Sequence, residues 1–364
     1  MNFWQIKGLN KLKNGLYPFL TILLALLLGA GIIYAMGFDP LLAYSSLLKG
    51  AFGNRNAIGE TLLRTTPLIF TAISYAIAQR CGLINLGGEG QLYIGALCGT
   101  LAGTLLSGLP LAIHLPLTIL AGFLGGAFWG LIVGVLKVRF GASELITTIM
   151  LNYIAMNLVS FCVTGPFKDP SPGAPPQTVP ILDSARLPRI MAGTRLHAGL
   201  LVALLGLAIY YIFLWRTTKG YEMRVIGMNP NAGRYAGMNL TSNSLLAIFI
   251  AGGFAGIGGC SEIIGVQFRL IQNFSTSYGF DGVAVALLGG GTPIGIAISA
   301  VLFGALNAGS GKMQMFAKVP SAVVYMIQGM IILFAVGRAL FPWLRKTIVT
   351  HLPKKVSAKE AART

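Results

Sequence analysis

Ten carboxylates are spread over 364 residues, few enough to weigh one at a time for the chemistry they could do. Glu144, Thr148 and Asn152 recur at four-residue spacing, so a helix would carry them on one face, a polar stripe in an otherwise apolar stretch. Inside a membrane such a stripe faces the bundle interior or a water-filled path, where it can attract a polar solute without trapping it. Glu144 has an equal alternative as a charged cap on the helix that begins after Ser143. Glu89, Glu262 and Asp281 stand near the ends of apolar runs and read as interfacial carboxylates rather than proton relays. Glu60 and Arg64, four apart with the Glu first, read as a structural pair.

Enzyme signatures are missing from the sequence. His114, His197 and His351 lie far apart without metal-ligand spacing, and Cys81, Cys98, Cys162 and Cys260 form no CxxC pair, so no metal site is expected. Gly309-Ser310-Gly311-Lys312 resembles the end of a phosphate-binding loop, but Met313 replaces the required Ser or Thr and Leu306 stands where the first Gly belongs. Without a nucleophile, base or metal set, a membrane-embedded enzyme is disfavoured.

The elements that must position these residues are apolar. Hydrophobic residues make up 55% and charged residues only 10%, with a mean hydropathy of +0.74. A soluble domain carries about 25% charged residues, so this chain is an all-α, polytopic membrane protein. Spans are expected near 16–36, 61–79, 90–107, 111–136, 143–165, 198–215, 244–265 and 320–341. The first reads as an anchor helix, because its apolar core is too long for a cleaved signal. With the N-terminus inside the cell, 17 of the 27 Lys and Arg fall in cytoplasmic segments and nine outside, while Arg64 lies within a helix. That bias follows the positive-inside rule and accounts for most of the net +17 without nucleic acid.

Alternation then requires the chain between 265 and 320 to cross an even number of times. The apolar run 283–290 is too short to span alone and is followed by Gly289, Gly290 and Gly291, then Thr292-Pro293 and a longer run at 294–310. A half-helix going in and a full helix coming back fits best, for about ten membrane segments in all. A second break, with Gly87 and Gly88, lies in Gly82-Leu83-Ile84-Asn85-Leu86-Gly87-Gly88-Glu89-Gly90. Non-helical backbone at membrane depth survives only inside protein or along a cavity, so paired breaks point to a transport path. The competing reading is two glycine-rich turns. Asn85, Glu89 and Gln91 from this break join Glu144, Thr148 and Asn152 as candidates for lining or gating that path. Gly122, Gly126, Gly130 and Gly134, with Gly95, Gly99 and Gly103 and with Gly252 and Gly256, form small-residue stripes expected to pack helices within one chain.

Two hydrophilic loops remain. The loop 166–197 holds seven of the 17 prolines and reads equally as a docking surface or a passive cap. In the loop 216–243, Asn229-Pro230 can start a short helix that Gly237 ends, producing a cationic, partly apolar knob.

Three motifs together resemble a known family: G-Y-E-M-R-V-I-G-M-N-P-N-A-G-R-Y-A-G-M at 220–238, G-L-I-N-L-G-G-E-G-Q at 82–91 and F-D-G-V-A-V-A-L-L-G-G-G-T-P-I-G at 280–295. They are similar to the permease subunits of ATP-binding cassette importers, in the branch of the ribose and branched-chain amino acid permeases, and most like the nucleoside-importer permeases. The resemblance covers about residues 57–341. It implies a type II importer fold and three divisions: an anchor helix and outer linker at 1–56, a permease domain at 57–341, and a basic tail at 342–364. It also implies a multi-pass location in the cell membrane and a second homologous permease chain, giving a heterodimer, while the charge distribution puts both termini in the cytoplasm. The other implied partners are a cytoplasmic ATPase and an extracytoplasmic binding protein or lipoprotein, alongside membrane lipid. ATP would be used by the partner, leaving this chain without cofactor or catalysis. Tyr221, Glu222, Arg224, Gly227, Asn229, Ala232, Arg234, Tyr235, Ala236, Gly237 and Met238 would couple to the ATPase. A sugar importer is the alternative, and a proton-coupled transporter using Glu144 or Asp281 is the more distant one.

Overall fold

A computed structural model describes residues 21–337. The start of the expected anchor helix, the N-terminal lysines and the tail 342–364 lie outside the described residues. The helices are α1 (Thr21–Ala35), α2 (Pro40–Phe52), α3 (Arg55–Arg80), α4 (Gly88–Leu105), α5 (Leu111–Phe140), α6 (Glu144–Thr164), α7 (Gly199–Arg216), α8 (Thr218–Met228), α9 (Pro230–Tyr235), α10 (Leu240–Glu262), α11 (Tyr278–Leu288), α12 (Pro293–Ala317) and α13 (Ala322–Gly337). A short 3-10 turn, Asp183–Ala185, and a π-helical continuation of α10, Ile263–Gln267, complete the order. Among the described residues the extended backbone pairs only as isolated bridges, Gln177 with Ile271 and Arg189 with His197.

Among the described residues six helices are long and apolar enough to cross a membrane: α3, α5, α6, α7, α10 with its π turn, and α12. Their burial sorts them. In α3 89% of the most apolar window is inside the protein and in α10 67%, against 33% in α5, α6 and α7. The first two are core helices, and the others turn apolar faces outward, as lipid requires. α10 is the axis of the bundle, packed on α3, α4 and α5, while α12 packs on α2 and α3.

The glycine stripes form the α4, α5 and α10 crossing within this one chain. A Cβ at Gly126 would fall 2.7 Å from the Gly256 Cα, and one at Gly95 or Gly252 would also strike facing backbone. Where backbones approach this closely only hydrogen fits, so the stripes set the helix spacing. Helix starts are written locally: Asn54, Asn229, Asn239 and Thr292 each accept a backbone N–H of the following first turn, and Pro40, Pro230 and Pro293 occupy first-turn positions. Two helices go beyond the expected set. α2 lies in the expected outer linker, and α8 precedes the short helix expected after Asn229.

The Pro-rich segment between α6 and α7 folds back on the bundle end opposite α8 and α9. His114 holds it there, its Nε2–H donating to the Ala102 carbonyl at 3.1 Å while Nδ1 accepts from Ser184 at 2.8 Å. His197 is 1% exposed, and its Nδ1 accepts the Gly199 N–H at 3.1 Å. Burial pushes the His197 imidazole down to about 4 from 6.5. An unfolded chain therefore takes up this proton before the folded protein does, so the stability His197 contributes is complete above pH 6.5 and is lost as pH falls toward 4. Between pH 7.5 and pH 5 this amounts to about 2 kcal/mol. Thermal midpoints of the detergent-solubilised protein are expected to fall over that interval, and His197→Asn, which keeps an acceptor near Nδ1, is expected to flatten the slope. An equal slope in the variant would contradict the assignment.

Candidate functional site

The first break follows α3. Gly82 takes a left-handed conformation at φ 79°, which turns the chain inward after Arg80 and Cys81. Asn85 then anchors it: its Nδ2 donates to Ser74 Oγ and Gln91 Oε1, each at 3.1 Å, and its Oδ1 accepts the Gly87 N–H at 3.0 Å. Asn152 accepts the Gly90 N–H at 2.8 Å and donates to the Leu86 carbonyl at 2.9 Å. A helix leaves its first N–H groups unpaired, and at the start of α4 a side chain from α6 satisfies one of them. Thr148 is fully buried and donates to the Glu144 carbonyl at 2.6 Å. The stripe on α6 thus faces the bundle interior, against the break. Glu144, at its edge, pairs with Lys137 across the α5–α6 turn at 2.6 Å.

Glu89 is 3% exposed and accepts the Gly279 N–H at 2.6 Å. It lies in the first turn of α4 and touches the first turn of α11, so the positive ends of two helices converge on one carboxylate. Glu89 is thus buried within the protein, and Glu262, 9% exposed, is buried as well.

α11 is the expected half-helix. Its 11 residues measure about 16 Å at 1.5 Å per residue. It starts inside the bundle, where Thr71 of α3 donates to the Tyr278 carbonyl at 2.9 Å, and ends at Gly289, Gly290 and Gly291, the last two at φ 61° and 62°. Asp281 on this helix faces Asn307 of α12 at 3.4 Å, and Gln328 of α13 donates to Asn307 at 2.9 Å.

The two breaks meet. Arg80, the last residue of α3, donates to the Gly290 carbonyl at 3.2 Å and the Gly291 carbonyl at 3.3 Å, and Tyr210 of α7 donates to Gly291 at 2.7 Å. Gly227 of α8 lies against the backbone of Arg80 and Gly82, with no room for a Cβ. The loop 216–243 therefore sits on the first break. Gly220 touches the Leu214 backbone equally closely, folding α8 back on α7.

The residues of that loop divide by direction. Tyr221, Asn229, Ala232, Arg234, Tyr235, Ala236 and Gly237 are exposed, Tyr235 to 95%. Gly233 is buried against Ile226, so α9 is fastened by its small side and presents its cationic, aromatic side outward. Glu222 points inward: hydrogen bonds from Lys219, at 2.8 Å, and from Asn243 of α10, at 2.7 Å, hold its carboxyl below the usual carboxylate range. Arg224 lies over the Trp215 and Tyr221 rings, and Met238 packs on the core. The structure thus gathers Asn85, Gln91, Thr148 and Asn152 around one break, sets Glu89 between two helix ends and leaves Glu144 at the turn. Sequence reasoning passed over Ser74, Thr71, Tyr210, Trp215 and Asn243, and counted Arg80 and Lys137 only as charges. The pairing of a base at a helix end with a distant Gly-Gly-Gly was the signal available for Arg80.

Residues 57–336 match the family described as branched-chain amino acid transport system, permease component. The chain is 38% identical to the guanosine ABC transporter permease protein NupP of Bacillus subtilis, over 89% of this chain and 93% of that one. It is 34% identical to the nucleoside ABC transporter permease protein NupB of Lactococcus lactis, over 98% of each. It is also 34% identical to the glucose ABC transporter permease protein TsgB13 of Haloferax volcanii, over 89% of this chain and 87% of that one. No solved structure matches the chain. A multi-pass helical bundle with two joined breaks and an exposed basic helix, matched over most of its length by these relatives, belongs to the branched-chain amino acid transport system permease family, the membrane subunits of ATP-binding cassette transporters.

Proposed function

We propose that this chain is half of the membrane path of an importer for nucleosides, driven by ATP hydrolysed on a separate cytoplasmic ATPase. The observation that carries the coupling is α9, which presents Arg234 and a 95% exposed Tyr235 from a helix fastened through Gly233 to α8, whose Gly227 lies on the first break. A solvated loop does not need an aromatic ring held out on a capped helix, whereas a partner groove does. The nucleoside assignment is supported by NupP and NupB, with TsgB13 supporting a sugar as the second reading.

The end carrying α8 and α9 also carries Arg80, Lys137, Arg139, Arg216, Lys219, Arg224 and Arg234, so the positive-inside rule makes it cytoplasmic. That orientation sets both termini in the cytoplasm, makes the Pro-rich loop extracellular, and suits the cell membrane. Counting α1, α3, α4, α5, α6, α7, α10, α11, α12 and α13 gives ten membrane segments of a type II importer arrangement, with 1–56 leading into the permease domain 57–341 and with 342–364 as a cytoplasmic tail. A second, homologous permease would close the path, forming a heterodimer, and an extracytoplasmic binding protein or lipoprotein would supply substrate. This chain needs no cofactor and does no catalysis.

ATP binding would draw the ATPase pair together and push on α9, and the coupled breaks would carry that movement to the membrane interior. Asn85, Glu89, Gln91, Glu144, Thr148 and Asn152 would provide the polar side of the path, because their amide, hydroxyl and carboxylate groups can exchange partners with a ribose or base at little net cost. Uptake of labelled guanosine by cells expressing the complete transporter tests the substrate. Unlabelled nucleosides are expected to compete, with glucose and leucine leaving uptake unchanged. Competition by glucose alone, with labelled glucose taken up in place of guanosine, would overturn the nucleoside reading in favour of the sugar one.

A further inference from the structure

α11 ends at Leu288 with the negative end of its dipole turned toward the α8 end of the bundle, and the Gly289, Gly290 and Gly291 N–H groups close its last turn on the Val285, Leu287 and Ala286 carbonyls. The carbonyls just beyond it are held by distant side chains: Arg80, 210 residues before Gly290, donates to both the Gly290 and Gly291 carbonyls with one guanidinium nitrogen, and Tyr210 donates to Gly291 as well. The same guanidinium lies 5.6 Å from the centre of the Trp215 ring, and Arg224 of α8 lies 5.9 Å from that ring. One indole thus carries a cation from the loop and a cation from the break, each within the range of attraction to its face. Gly227, packed on the Arg80 backbone, gives α8 a second hold on the same residue. Beside Arg80 a cavity of about 270 Å³, lined also by Gln79, Ala286, Leu287 and Gly290, leaves the end of α11 room to shift.

We propose that Arg80 is a positioning residue for transport, transmitting displacement of α8 and α9 through the Trp215 ring to the Gly290–Gly291 end of the half-helix; this rests on the reading of α9 as the ATPase contact. The arrangement needs Arg specifically. A guanidinium can stack on the indole while its edge donates to carbonyls, whereas a Lys ammonium does one at the expense of the other.

Hydrogen–deuterium exchange on the complete transporter, purified with the ATPase and partner permease that accompany it and compared without nucleotide and with ATP plus vanadate, tests this. In the wild type, peptides covering 286–295 are expected to change exchange rate at least threefold on vanadate trapping. Arg80→Ala is expected to abolish that response, and Arg80→Lys to restore part of it. Trp215→Leu leaves the carbonyl bonds of Arg80 in place, so a purely structural cap would keep the response; transmission through the ring predicts its loss. Peptides covering 229–238 report the underlying reading separately, since they are expected to be protected by the ATPase in every variant. No protection there, even in the wild type, would bring down the coupling reading and this proposal with it. Protection at 229–238 with a full response at 286–295 in Trp215→Leu, or in Arg80→Ala if that variant folds, would overturn the role of Arg80 alone, as would a wild type without response.

Discussion

Gly256→Leu is expected to eliminate the folded protein. Gly256 lies where α10 crosses both α4 and α5: a Cβ there would stand 3.0 Å from the Gly126 Cα and 3.1 Å from the Gly126 nitrogen, and would also meet the Gly122 carbonyl. These neighbours are backbone, which cannot rotate aside as a side chain can, so the new side chain must part the helices. Overpacking a formed core costs about 1–3 kcal/mol and sometimes more, and here the displaced surface is the axis of the bundle. A loss above ~3 kcal/mol is a large share of the stability of an ordinary domain. Gly329→Leu on α13 is the control, because nothing lies within 4 Å of its Cβ position, and its effect is expected to stay within about 0.5 kcal/mol. Size-exclusion profiles and thermal midpoints of the detergent-solubilised variants separate the two. A monodisperse Gly256→Leu protein with an unchanged midpoint would mean that the helices do not cross there.

What was legible in the sequence follows from which features are local. The four-residue glycine spacing predicts the crossing of α4, α5 and α10 because a helix turns such a pattern into one flat stripe, and α9 is legible because Asn229-Pro230 and Gly237 mark its two ends. The half-helix α11 emerged from counting crossings, a constraint that the membrane imposes on the whole chain. α8 was hidden because Gly220 and Gly227 disfavour helix; their value is contact with the Leu214 and Arg80 backbones, which no local pattern reports. α2 was hidden by its length of 13 residues, too short for a span yet buried along the side that meets α3 and α12. For the candidate site, the polar character of residues 85–91 and of the α6 stripe was plain, but their mutual bonding was not. Asn152 and Gly90 are 62 residues apart and Arg80 and Gly290 are 210 apart, so only the folded chain brings them together.

Arg234→Ala combined with Tyr235→Ala is expected to abolish import while leaving the permease folded. Both side chains project into solvent, Tyr235 at 95% exposure, and α9 keeps its Asn229 cap and its Gly233 contact without them. Little stability is at stake, since exposed substitutions stay within about 0.5 kcal/mol. The aromatic and cationic pair is instead the type of group that dominates a protein interface, where one such residue is worth 2 kcal/mol or more. Two of them together correspond to about a thousandfold weaker hold on the ATPase. The decisive measurement is uptake of labelled guanosine into vesicles containing the complete transporter, with ATP supplied on the α9 side, and compared with an imposed proton gradient in vesicles lacking the ATPase. The predicted result is uptake that requires both ATP and the ATPase, falls at least tenfold in the Arg234→Ala, Tyr235→Ala protein, and is accompanied there by loss of the ATPase on purification. Uptake driven by the proton gradient alone, or undiminished ATP-driven uptake with the ATPase still bound to the double variant, would contradict it.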